Sequence, residues 1–323
     1  MILAGDIGGT KTVLALFTND SGQLTGVLER TYPSQSFGQF SDILSSFLPA
    51  DISVSAACFG VAGPVVNQRC QTTNLPWLLD ADRLKVQLGT AEVKLLNDLE
   101  AMALGMLHLP EQDLLELNPD AVSQTGNCAV IAAGTGLGEA ILYWDGERHH
   151  PIATEGGHTD FAAQNDQQDQ LLTYLRTLYP GHVSYERIIS GIGFSHLYDF
   201  LCRQGFAPAC LDVLGCASDS NRNAVISGLG LSGQDPLCRE AVRLFVELYG
   251  AEAGNLALKS FAIGGVYIGG GIAQKILPAM RSRDFIQAFK AKGRFSDLLH
   301  TVSVKLSLNE RTPLIGASRF FST

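Results

Sequence analysis

The 323-residue sequence lacks the features of a secreted, membrane-spanning or nucleic-acid-binding protein. Its seven cysteines are an odd number and contain no Cys-x-x-Cys pair, which argues against a disulfide framework and for a reducing cytosol. Its formal net charge of -9 disfavours general binding to nucleic acid or to anionic membranes. No apolar run reaches the roughly 18–20 residues of a membrane span, and no basic signal-peptide region precedes the first apolar run. We therefore expect a cytoplasmic protein with no nucleic-acid or membrane partner.

Common catalytic motifs are also missing. The sequence contains no Gly-Lys-Ser/Thr of a Walker P-loop and no His-Glu-x-x-His zinc motif. The run from Gly134 to Gly138 is not a dinucleotide fingerprint, because neither a helix nor an acidic residue at the required distance follows it. Because the chain is acidic, an anionic ligand would need local backbone donors or a metal ion.

The composition that remains, 46% apolar and 17% charged residues, is typical of a globular protein long enough for two lobes. Short apolar runs alternate with segments of helical spacing, which is the pattern of an α/β fold. A strand, a Gly-Thr-rich turn and a second strand open the chain and recur at 128–144, which predicts two related lobes. Strands are predicted at 1–4, 13–17, 27–31, 53–61, 93–96, 128–133, 139–144, 263–268 and 302–308. Helices are predicted at about 39–48, 80–88, 99–107, 166–179, 183–204, 236–260 and 284–291, with a short one after Pro313 and a loop-helix excursion over 205–235.

The opening hairpin has the sequence Gly5-Asp6-Ile7-Gly8-Gly9-Thr10 between two apolar runs. We expect its glycines to adopt positive φ in a tight turn and to expose N–H groups that can bind an anion such as phosphate. Asp6 would repel a phosphate unless a metal ion lay between them, so one interpretation is a phosphate and magnesium hairpin. The other is an ordinary hairpin in which Asp6 bonds its own turn. This stretch alone does not decide between them.

Three glycine runs, each directly after an apolar strand, favour ligand-binding loops over three structural turns. They are Gly8-Gly9, Gly134 to Gly138, and Gly269-Gly270-Gly271. The first two would hold the two ends of a triphosphate if they faced each other across a cleft. The third opens a helix, whose N-terminus and bare backbone would admit a phosphate or a flat base.

Asn97 and Asp98 follow a predicted strand, at the end where open α/β sheets bind ligands. Asn97 is also a good helix N-cap, and Glu100 three residues later would complete a capping box worth about 1 kcal/mol. An aspartate in the position of Asp98 can accept the proton of an attacking hydroxyl. The two interpretations are compatible, since Asn97 can cap the helix while Asp98 faces a ligand.

A third candidate group consists of Glu155-Gly156-Gly157-His158 and Glu186. Two glutamates and a histidine beside flexible glycines would suit a metal ion, although not in the His-Glu-x-x-His arrangement. Carboxylates and imidazole also hydrogen-bond to vicinal hydroxyls, as in a polyhydroxyl ligand. A purely structural role is the third possibility, and the residues alone leave all three open.

Over nearly its whole length, the chain resembles the bacterial glucokinases of the actin-like sugar kinase superfamily. The motifs that carry the resemblance, in order, are Gly5 to Thr10, Asn97-Asp98, Ala133 to Gly138, Glu155 to His158, Gly181 to Arg187, Ser190-Gly191 and Gly264 to Gly271. The resemblance implies ATP-dependent phosphorylation of glucose at its 6-hydroxyl, with Mg²⁺, by a cytoplasmic homodimer acting in glycolysis. It also implies an α/β fold of two ribonuclease-H-like (actin-like ATPase) lobes with a central cleft. We place the smaller lobe at 1–108 plus 302–323 and the larger lobe at 109–301.

The same resemblance suggests roles for individual residues. By the resemblance, Asp98 occupies the position of the catalytic base, which is also a sugar ligand. The other expected sugar ligands are Asn97, Glu155, His158 and Glu186. The residues that match the ATP-binding loops are Asp6, Gly8, Gly9, Thr10, Gly134, Thr135, Gly136, Gly138, Gly269, Gly270 and Gly271. No direct metal ligand is assigned, although Asp6 is expected near the Mg²⁺ of ATP.

Two features of related sugar kinases and repressors are not expected in this chain. Related sugar kinases and repressors carry a Cys-rich zinc motif, CxCGxxGC, which this sequence lacks, so His158 is expected to bind sugar and not zinc. The repressors of that group also have an N-terminal DNA-binding domain, for which we expect no room before the hairpin at Gly5. The alternatives to a glucokinase are a kinase for another hexose or an amino sugar, and a non-catalytic sugar or nucleotide sensor on the same fold.

Overall fold

The computed structural model describes residues 1–20, 23–72 and 74–321, which form two compact units. Within these residues, the first unit comprises Met1–Asp113, Pro151–Ala153 and Asn309–Thr323, and the second comprises Leu114–His150 and Thr154–Leu308. The boundaries predicted from the sequence lie instead at 108/109 and 301/302. The later boundary moves because the strand Val304–Ser307 pairs inside the sheet of the second unit.

The first unit is a twisted α/β layer structure with helices packed on one main sheet. Its strands are β1 (Ile2–Ile7), β2 (Lys11–Asp20), β3 (Gln23–Pro33), β4 (Ala56–Val61), β5 (Arg69–Gln71), β6 (Leu78–Asp80) and β7 (Glu92–Asn97). Its helices are α1 (Phe40–Phe47), α2 (Ala81–Leu88), α3 (Asp98–Met106) and, near the C-terminus, α13 (Thr312–Arg319). The main sheet has the order β3-β2-β1-β4-β7, while β5 and β6 pair separately.

The central strands of this sheet bring two of the candidate segments to one edge. β1 pairs antiparallel with β2 and parallel with β4, and β4 pairs parallel with β7. β1 and β4 are almost continuously buried, as expected for central strands. The register aligns Asp6 with Gly60 and Gly60 with Leu96. Asp6 and the Asn97-Asp98 pair therefore lie at the same, carboxyl-terminal edge of the parallel strands.

Helix α3 packs on α13 at a distance that only glycine permits. A Cβ on Gly105 would overlap the backbone carbonyl of Thr312, and a Cβ on Gly316 would overlap that of Ala101. This close packing fixes α3, whose first residue is Asp98. The C-terminal helix thereby helps to hold a candidate catalytic residue in place.

The second unit is built on a larger sheet. The strands of this sheet are β8 (Leu114–Glu116), β9 (Cys128–Ala133), β10 (Leu137–Trp144), β11 (His149–Ala153, whose last three residues count with the first unit), β12 (Gly265–Gly269) and β13 (Val304–Ser307), in the order β11-β10-β9-β12-β13-β8. Its helices are α4 (Asp166–Leu178), α5 (Gly191–Arg203), α6 (Leu211–Leu214), α7 (Asp219–Ser232), α8 (Pro236–Ser260), α9 (Gly271–Lys275), α10 (Leu277–Met280), α11 (Arg283–Lys290) and α12 (Ser296–His300). β9 pairs antiparallel with β10 and parallel with β12. This repeats the pairing of β1 with β2 and β4, so the predicted repetition of the strand pattern is confirmed.

Helix α8 is the centre of the core in the second unit, and its predicted bounds are confirmed. Pro236 occupies the first turn, and the Asp235 side chain caps the helix by accepting from the Cys238 N–H. The fully buried Tyr249 hydroxyl accepts from the Ala133 N–H (3.1 Å) and lies 3.4 Å from the Gly269 carbonyl oxygen. It thus ties together the ends of β9 and β12, where two of the glycine runs begin. No helix among the described residues is both long enough and apolar enough to cross a membrane.

The helical pattern predicted over 183–204 is wrong in its first half. Tyr185–Arg187 form a short 3₁₀ turn, and α5 begins only at Gly191. The Ser190 hydroxyl donates to the Glu186 carbonyl oxygen (2.6 Å), which closes this turn before the helix starts. Strands β5, β6, β8 and β11 are absent from the sequence predictions, because runs of three to five residues with exposed positions carry little apolar periodicity.

Candidate active site

The turn of the opening hairpin joins β1 to β2 through Gly8, Gly9 and Thr10. The Gly8 N–H donates to the Lys11 carbonyl oxygen at 3.0 Å. Neither Gly8 nor Gly9 has a positive φ, so the sequence prediction on this point is wrong. Glycine is needed here for space, because a Cβ on Gly9 would lie 2.9 Å from the Asn74 Cβ.

Ser34 closes this turn from outside, and no sequence motif predicts this role. Its hydroxyl donates to the Gly8 carbonyl oxygen (2.7 Å) and hydrogen-bonds to the Thr12 hydroxyl (2.9 Å). Its N–H donates to the Thr10 carbonyl oxygen at 3.0 Å. Buried Ser34 therefore engages the turn's carbonyl groups, while the N–H groups of Gly9 and Thr10 have no hydrogen-bond partner among the described residues. Such free, neighbouring N–H groups form an anion-binding nest.

Asp6 lies half-buried at the end of β1, beside this turn. Burial raises the pKa of its carboxyl group to about 6, and the nearby Lys11 ammonium partly offsets that effect. The side chain makes no hydrogen bond to its own turn in the part of the chain that the structure describes, unlike the ordinary hairpin that was the alternative. A poorly solvated carboxylate next to an anion-binding nest is suited to a bound cation.

Asn97 forms the capping box that the sequence predicts. Its Oδ1 accepts from the Leu99 N–H (2.8 Å), and the Glu100 carboxylate accepts from the Asn97 N–H (2.9 Å). Its Nδ2 also donates to the Gly63 carbonyl oxygen at 3.1 Å. Asp98 is the first residue of α3, and its Oδ1 accepts from the Leu99 N–H at 2.9 Å. The N-terminal dipole of α3 favours the ionised form of a carboxylate at this position.

Gln68 supports this segment and was missed by sequence reasoning. Gln68 and its neighbour Asn67 adopt left-handed backbone conformations, with φ of 58° and 50°. The Gln68 side chain accepts from the Leu95 N–H (2.9 Å) and donates to the Leu95 carbonyl oxygen (3.3 Å). Because β7 is the edge strand, these bonds pair backbone groups that no further strand could reach. The loop is thereby attached to β7 just before the Asn97-Asp98 pair.

In the second unit, the Gly134-Thr135-Gly136 turn is in direct contact with Glu186. The Glu186 Oε2 accepts from the Leu137 N–H at 3.0 Å, and a Cβ on Gly136 would overlap the same carboxylate. The Gly134 N–H donates to the Gly136 carbonyl oxygen (2.8 Å). The N–H groups of Thr135 and Gly136 have no partner among the residues described, so this turn also offers donors to an anion.

Glu155 and His158 flank two glycines that lie flat against β10. A Cβ on Gly156 would overlap the Glu139 carboxyl group, and a Cβ on Gly157 would overlap the Leu137 carbonyl oxygen. Both Glu155 and His158 are exposed, and the His158 Nδ1 lies 3.8 Å from the Glu186 Oε1. Three of the predicted sugar ligands therefore cluster at the start of β10, beside the glycine turn.

The geometry bears on two of the three interpretations left open for this cluster, the metal site and the polyhydroxyl site. No group of three or more His, Cys, Asp or Glu side chains is placed to hold a metal ion in the described part of the chain. Exposed carboxylates and an imidazole at one edge can instead accept from and donate to several hydroxyls.

The third glycine run lies beside the second. Gly270 has a φ of 82°, and a Cβ on it would overlap the Ala133 carbonyl oxygen at the end of β9. It is the N-cap of α9, which is only five residues long. The expected helix is therefore short, and the bare backbone of Gly269 to Gly271 is next to the Gly134–Gly136 turn.

The whole chain matches one family of known proteins. The sequence model described as Glucokinase matches residues 3–323. The chain belongs to the glucokinase family. It is 40% identical to a glucokinase of Synechocystis sp., over 98% of this chain and 96% of that protein. The predicted family is thus confirmed, and the protein is a hexose kinase.

Solved structures of glucokinases have the same fold. A glucokinase from an Antarctic psychrotroph is 31% identical, with a TM-score of 0.87, and the match covers 100% of this chain and 99% of that one. A ROK family glucokinase from Streptomyces griseus, solved with glucose and AMPPNP, matches at 21% identity with a TM-score of 0.65, over 98% and 97% of the two chains. The predicted actin-like two-lobe α/β fold is confirmed.

The contact between Gly136 and Glu186 gives a test of the cluster. In Gly136→Ala the new Cβ displaces the Glu186 carboxylate, so we expect the KM for glucose to rise about tenfold, the effect of losing one charge-assisted hydrogen bond. Gly134→Ala is the matched control, because a Cβ there meets no atom within 4 Å. It should leave the KM for glucose within about twofold of wild type. Equal values for the two variants would show that Glu186 does not bind the sugar.

Proposed function

We propose that the enzyme transfers the γ-phosphoryl group of ATP to the 6-hydroxyl of D-glucose, giving glucose 6-phosphate and ADP. Membership of the glucokinase family supports this activity. The observation that carries the proposal is the contact of Glu186 with both the His158 side chain and the Gly134–Gly136 turn. A group of hydroxyl ligands beside an anion-binding turn is the arrangement that a sugar kinase needs.

The proposed sugar ligands are Asn97, Asp98, Glu155, His158 and Glu186. The three carboxylates accept hydrogen bonds from sugar hydroxyls, and the imidazole can accept or donate. The Asn97 side-chain oxygen is already used by backbone N–H groups of α3, and its Nδ2 donates to the Gly63 carbonyl, which leaves one N–H of the amide for sugar. Charge-assisted hydrogen bonds of this kind orient the sugar as well as binding it.

We propose Asp98 as the base. Its carboxylate accepts the proton of the 6-hydroxyl as the oxygen attacks the γ-phosphorus, and its first task is to orient that hydroxyl. The capping box of Asn97 and Glu100 fixes the backbone on which Asp98 is carried. The N-terminal dipole of α3 interacts favourably with a negative charge at this position.

The free N–H groups of Gly9, Thr10, Thr135 and Gly136 are the proposed phosphate donors. They are fixed before substrate arrives, which lowers the reorganisation needed as charge develops on the phosphoryl oxygens. We assign Asp6, Gly8, Gly134 and Gly138 to the same loops, and Gly269, Gly270 and Gly271 to the adenosine, because their bare backbone allows a flat base to approach.

The chain fits a Mg²⁺ ion that arrives with ATP. Asp6 offers one hard oxygen donor whose charge is poorly solvated, and Mg²⁺ commonly binds one or two carboxylates while keeping waters and substrate phosphates as its other ligands. When bound, the ion neutralises phosphate charge. Asp6 would hold it near the turn, while the N–H groups orient the phosphates.

We also propose a cytoplasmic homodimer that acts in glycolysis. All seven cysteines are free thiols, which suits a reducing compartment. The proposal of a homodimer is based on the resemblance to the bacterial glucokinases.

A hexose panel tests the activity and its alternatives together. We expect glucose to have the highest kcat/KM in an assay coupled to ADP release, because the chain belongs to the glucokinase family. A higher kcat/KM for mannose, fructose or an amino sugar would mean that the enzyme is still a hexose kinase but that glucose is not its preferred substrate. Binding of glucose in calorimetry with no ADP release from any sugar would identify a sensor.

Asp98→Asn tests the base. We expect kcat to fall about 10²–10⁴-fold, because the amide cannot accept the proton. The affinity for glucose should change little, since the amide still hydrogen-bonds to a hydroxyl. Asp82→Asn is the control, because Asp82 is an exposed carboxylate in the first turn of α2. Wild-type turnover in Asp98→Asn would exclude Asp98 as the base.

The raised pKa of Asp6 predicts a pH dependence. Below about pH 6 the carboxyl group is protonated and cannot hold a cation, so the KM for MgATP should rise as the pH falls. Asp6→Asn should have a high KM for MgATP at every pH and lose that part of the slope, retaining only what ATP itself contributes. The affinity for glucose should stay near the wild-type value in this variant and in Asp6→Ala. A large loss of glucose affinity would instead place Asp6 on the sugar.

A further inference from the structure

Two glutamates that the proposed chemistry does not use are buried behind the sugar-ligand cluster. Glu139 lies on β10 with 1% of its surface exposed, and Glu252 lies on α8 with none exposed. Their carboxyl groups are hydrogen-bonded to each other. Carboxylates are rarely buried because burial of their charge is unfavourable, so a buried pair needs an explanation.

Glu252 has the partners of an ionised carboxylate. Its Oε1 accepts from the Lys259 ammonium (2.9 Å) and its Oε2 from the Asn255 amide (2.8 Å). The same Asn255 amide donates to the Tyr185 hydroxyl (3.0 Å). The charge on Glu252 is therefore compensated within the network.

Glu139 is then left as the neutral partner. Its Oε1 is buried and has no hydrogen-bond partner among the described residues. Burial first, and the charge of Glu252 second, raise the pKa of Glu139 well above its usual range. Two touching carboxyl groups cannot both be ionised cheaply, so the pair holds one proton at neutral pH.

The pair is connected to both segments that carry the proposed sugar ligands. The Glu139 carboxyl group packs directly on Gly156, between Glu155 and His158. The Thr154 hydroxyl donates to the Glu139 carbonyl oxygen (2.9 Å) and accepts from the Gly156 N–H (3.1 Å). On the other side, the Asn255 amide links Glu252 to the Tyr185 hydroxyl, and Tyr185 directly precedes Glu186 in the chain.

We propose that the Glu139–Glu252 pair, holding one proton, is a positioning element for the sugar-ligand cluster. Glu139 supports the backbone between Glu155 and His158, and Glu252 sets the segment of Glu186 through the Asn255 amide and the Tyr185 hydroxyl. Loss of the proton places two negative charges in contact behind the cluster and pushes the two segments apart. The inference rests on the proposed sugar ligands and adds a condition under which they are correctly placed.

The other titratable groups around the pair are few. From α8 they are Tyr249 and Lys259, and from the segment after α4 there is Tyr185. Lys292 donates to the Asn255 Oδ1 (2.7 Å), and burial lowers its pKa to about 8. Lys292 titrates in the same alkaline range as the pair, so a variant at Glu139 itself must separate the two.

Glu139→Gln is that variant, because glutamine has the shape of the neutral acid and cannot ionise. Glucose affinity is measured by calorimetry without ATP, from about pH 6 to about pH 9. In the wild type we expect the dissociation constant for glucose to rise at least about fivefold over this range, as the proton is lost. In Glu139→Gln we expect a value close to wild type at about pH 6 and little further change. An alkaline rise of wild-type size in the variant, or none in the wild type, would overturn the proposal.

A second variant keeps the test decisive if Glu139→Gln does not fold. Tyr185→Phe removes only the hydroxyl that links Glu252 to the Glu186 segment. We expect the KM for glucose to rise several-fold while the KM for MgATP stays unchanged, whereas a purely structural role would lower the melting temperature and leave both KM values alone. Tyr143→Phe is the control, since Tyr143 is exposed on the same strand as Glu139.

The outcomes also separate this inference from the proposed function. If the hexose panel finds no phosphorylation but glucose binds with the expected pH dependence, the positioning role of the pair is supported and the proposed activity is contradicted. If glucose is phosphorylated and neither variant alters its affinity as described, the pair is only a buried part of the core.

Discussion

The hydrogen bond from the Leu137 N–H to the Glu186 carboxylate is the contact on which the candidate site of the second unit depends. It joins the start of β10 to a segment that lies about fifty residues later in the chain. The glycine turn, the exposed His158 and the buried carboxyl pair are all arranged around that strand start. A charged acceptor on a backbone donor is among the stronger hydrogen bonds, so it is well suited to hold a long-range junction.

Glycine acts in both units mainly by leaving room. At Gly9, Gly136 and Gly156 a side chain or backbone atom occupies the place that a Cβ would need, and none of the three has a positive φ. The glycine-rich character of the motifs is therefore a packing requirement. It lets a turn lie against a carboxyl group or a neighbouring loop, and at Gly9 and Gly136 the glycine N–H has no hydrogen-bond partner among the described residues. The same duplicated strand pattern supplies both turns, with different neighbours pressing on each.

The sequence predicts those parts of the fold and site that depend on local pattern. The long helix from Pro236 to Ser260 and the capping box at Asn97 follow from spacing and residue type over a few positions. The contacts that hold the site residues in place cannot be predicted in this way, because they join residues that are distant in the sequence. Ser34 closes a turn more than twenty residues away, and Gln68 pairs with Leu95 across a loop. Glu139 directly follows a glycine turn, and only the packed helix α8 reveals that its carboxyl group is enclosed.

Asn97 illustrates how little separation there is between folding and activity in this chain. The amide that begins α3 sits one residue from the proposed base, so the first turn of the helix and the orientation of Asp98 are maintained by the same few hydrogen bonds. Transient fraying of that turn would withdraw the reactive group with it, on the timescale of local opening. On heating or in denaturant, enzymatic activity should therefore be lost before the central sheet unfolds.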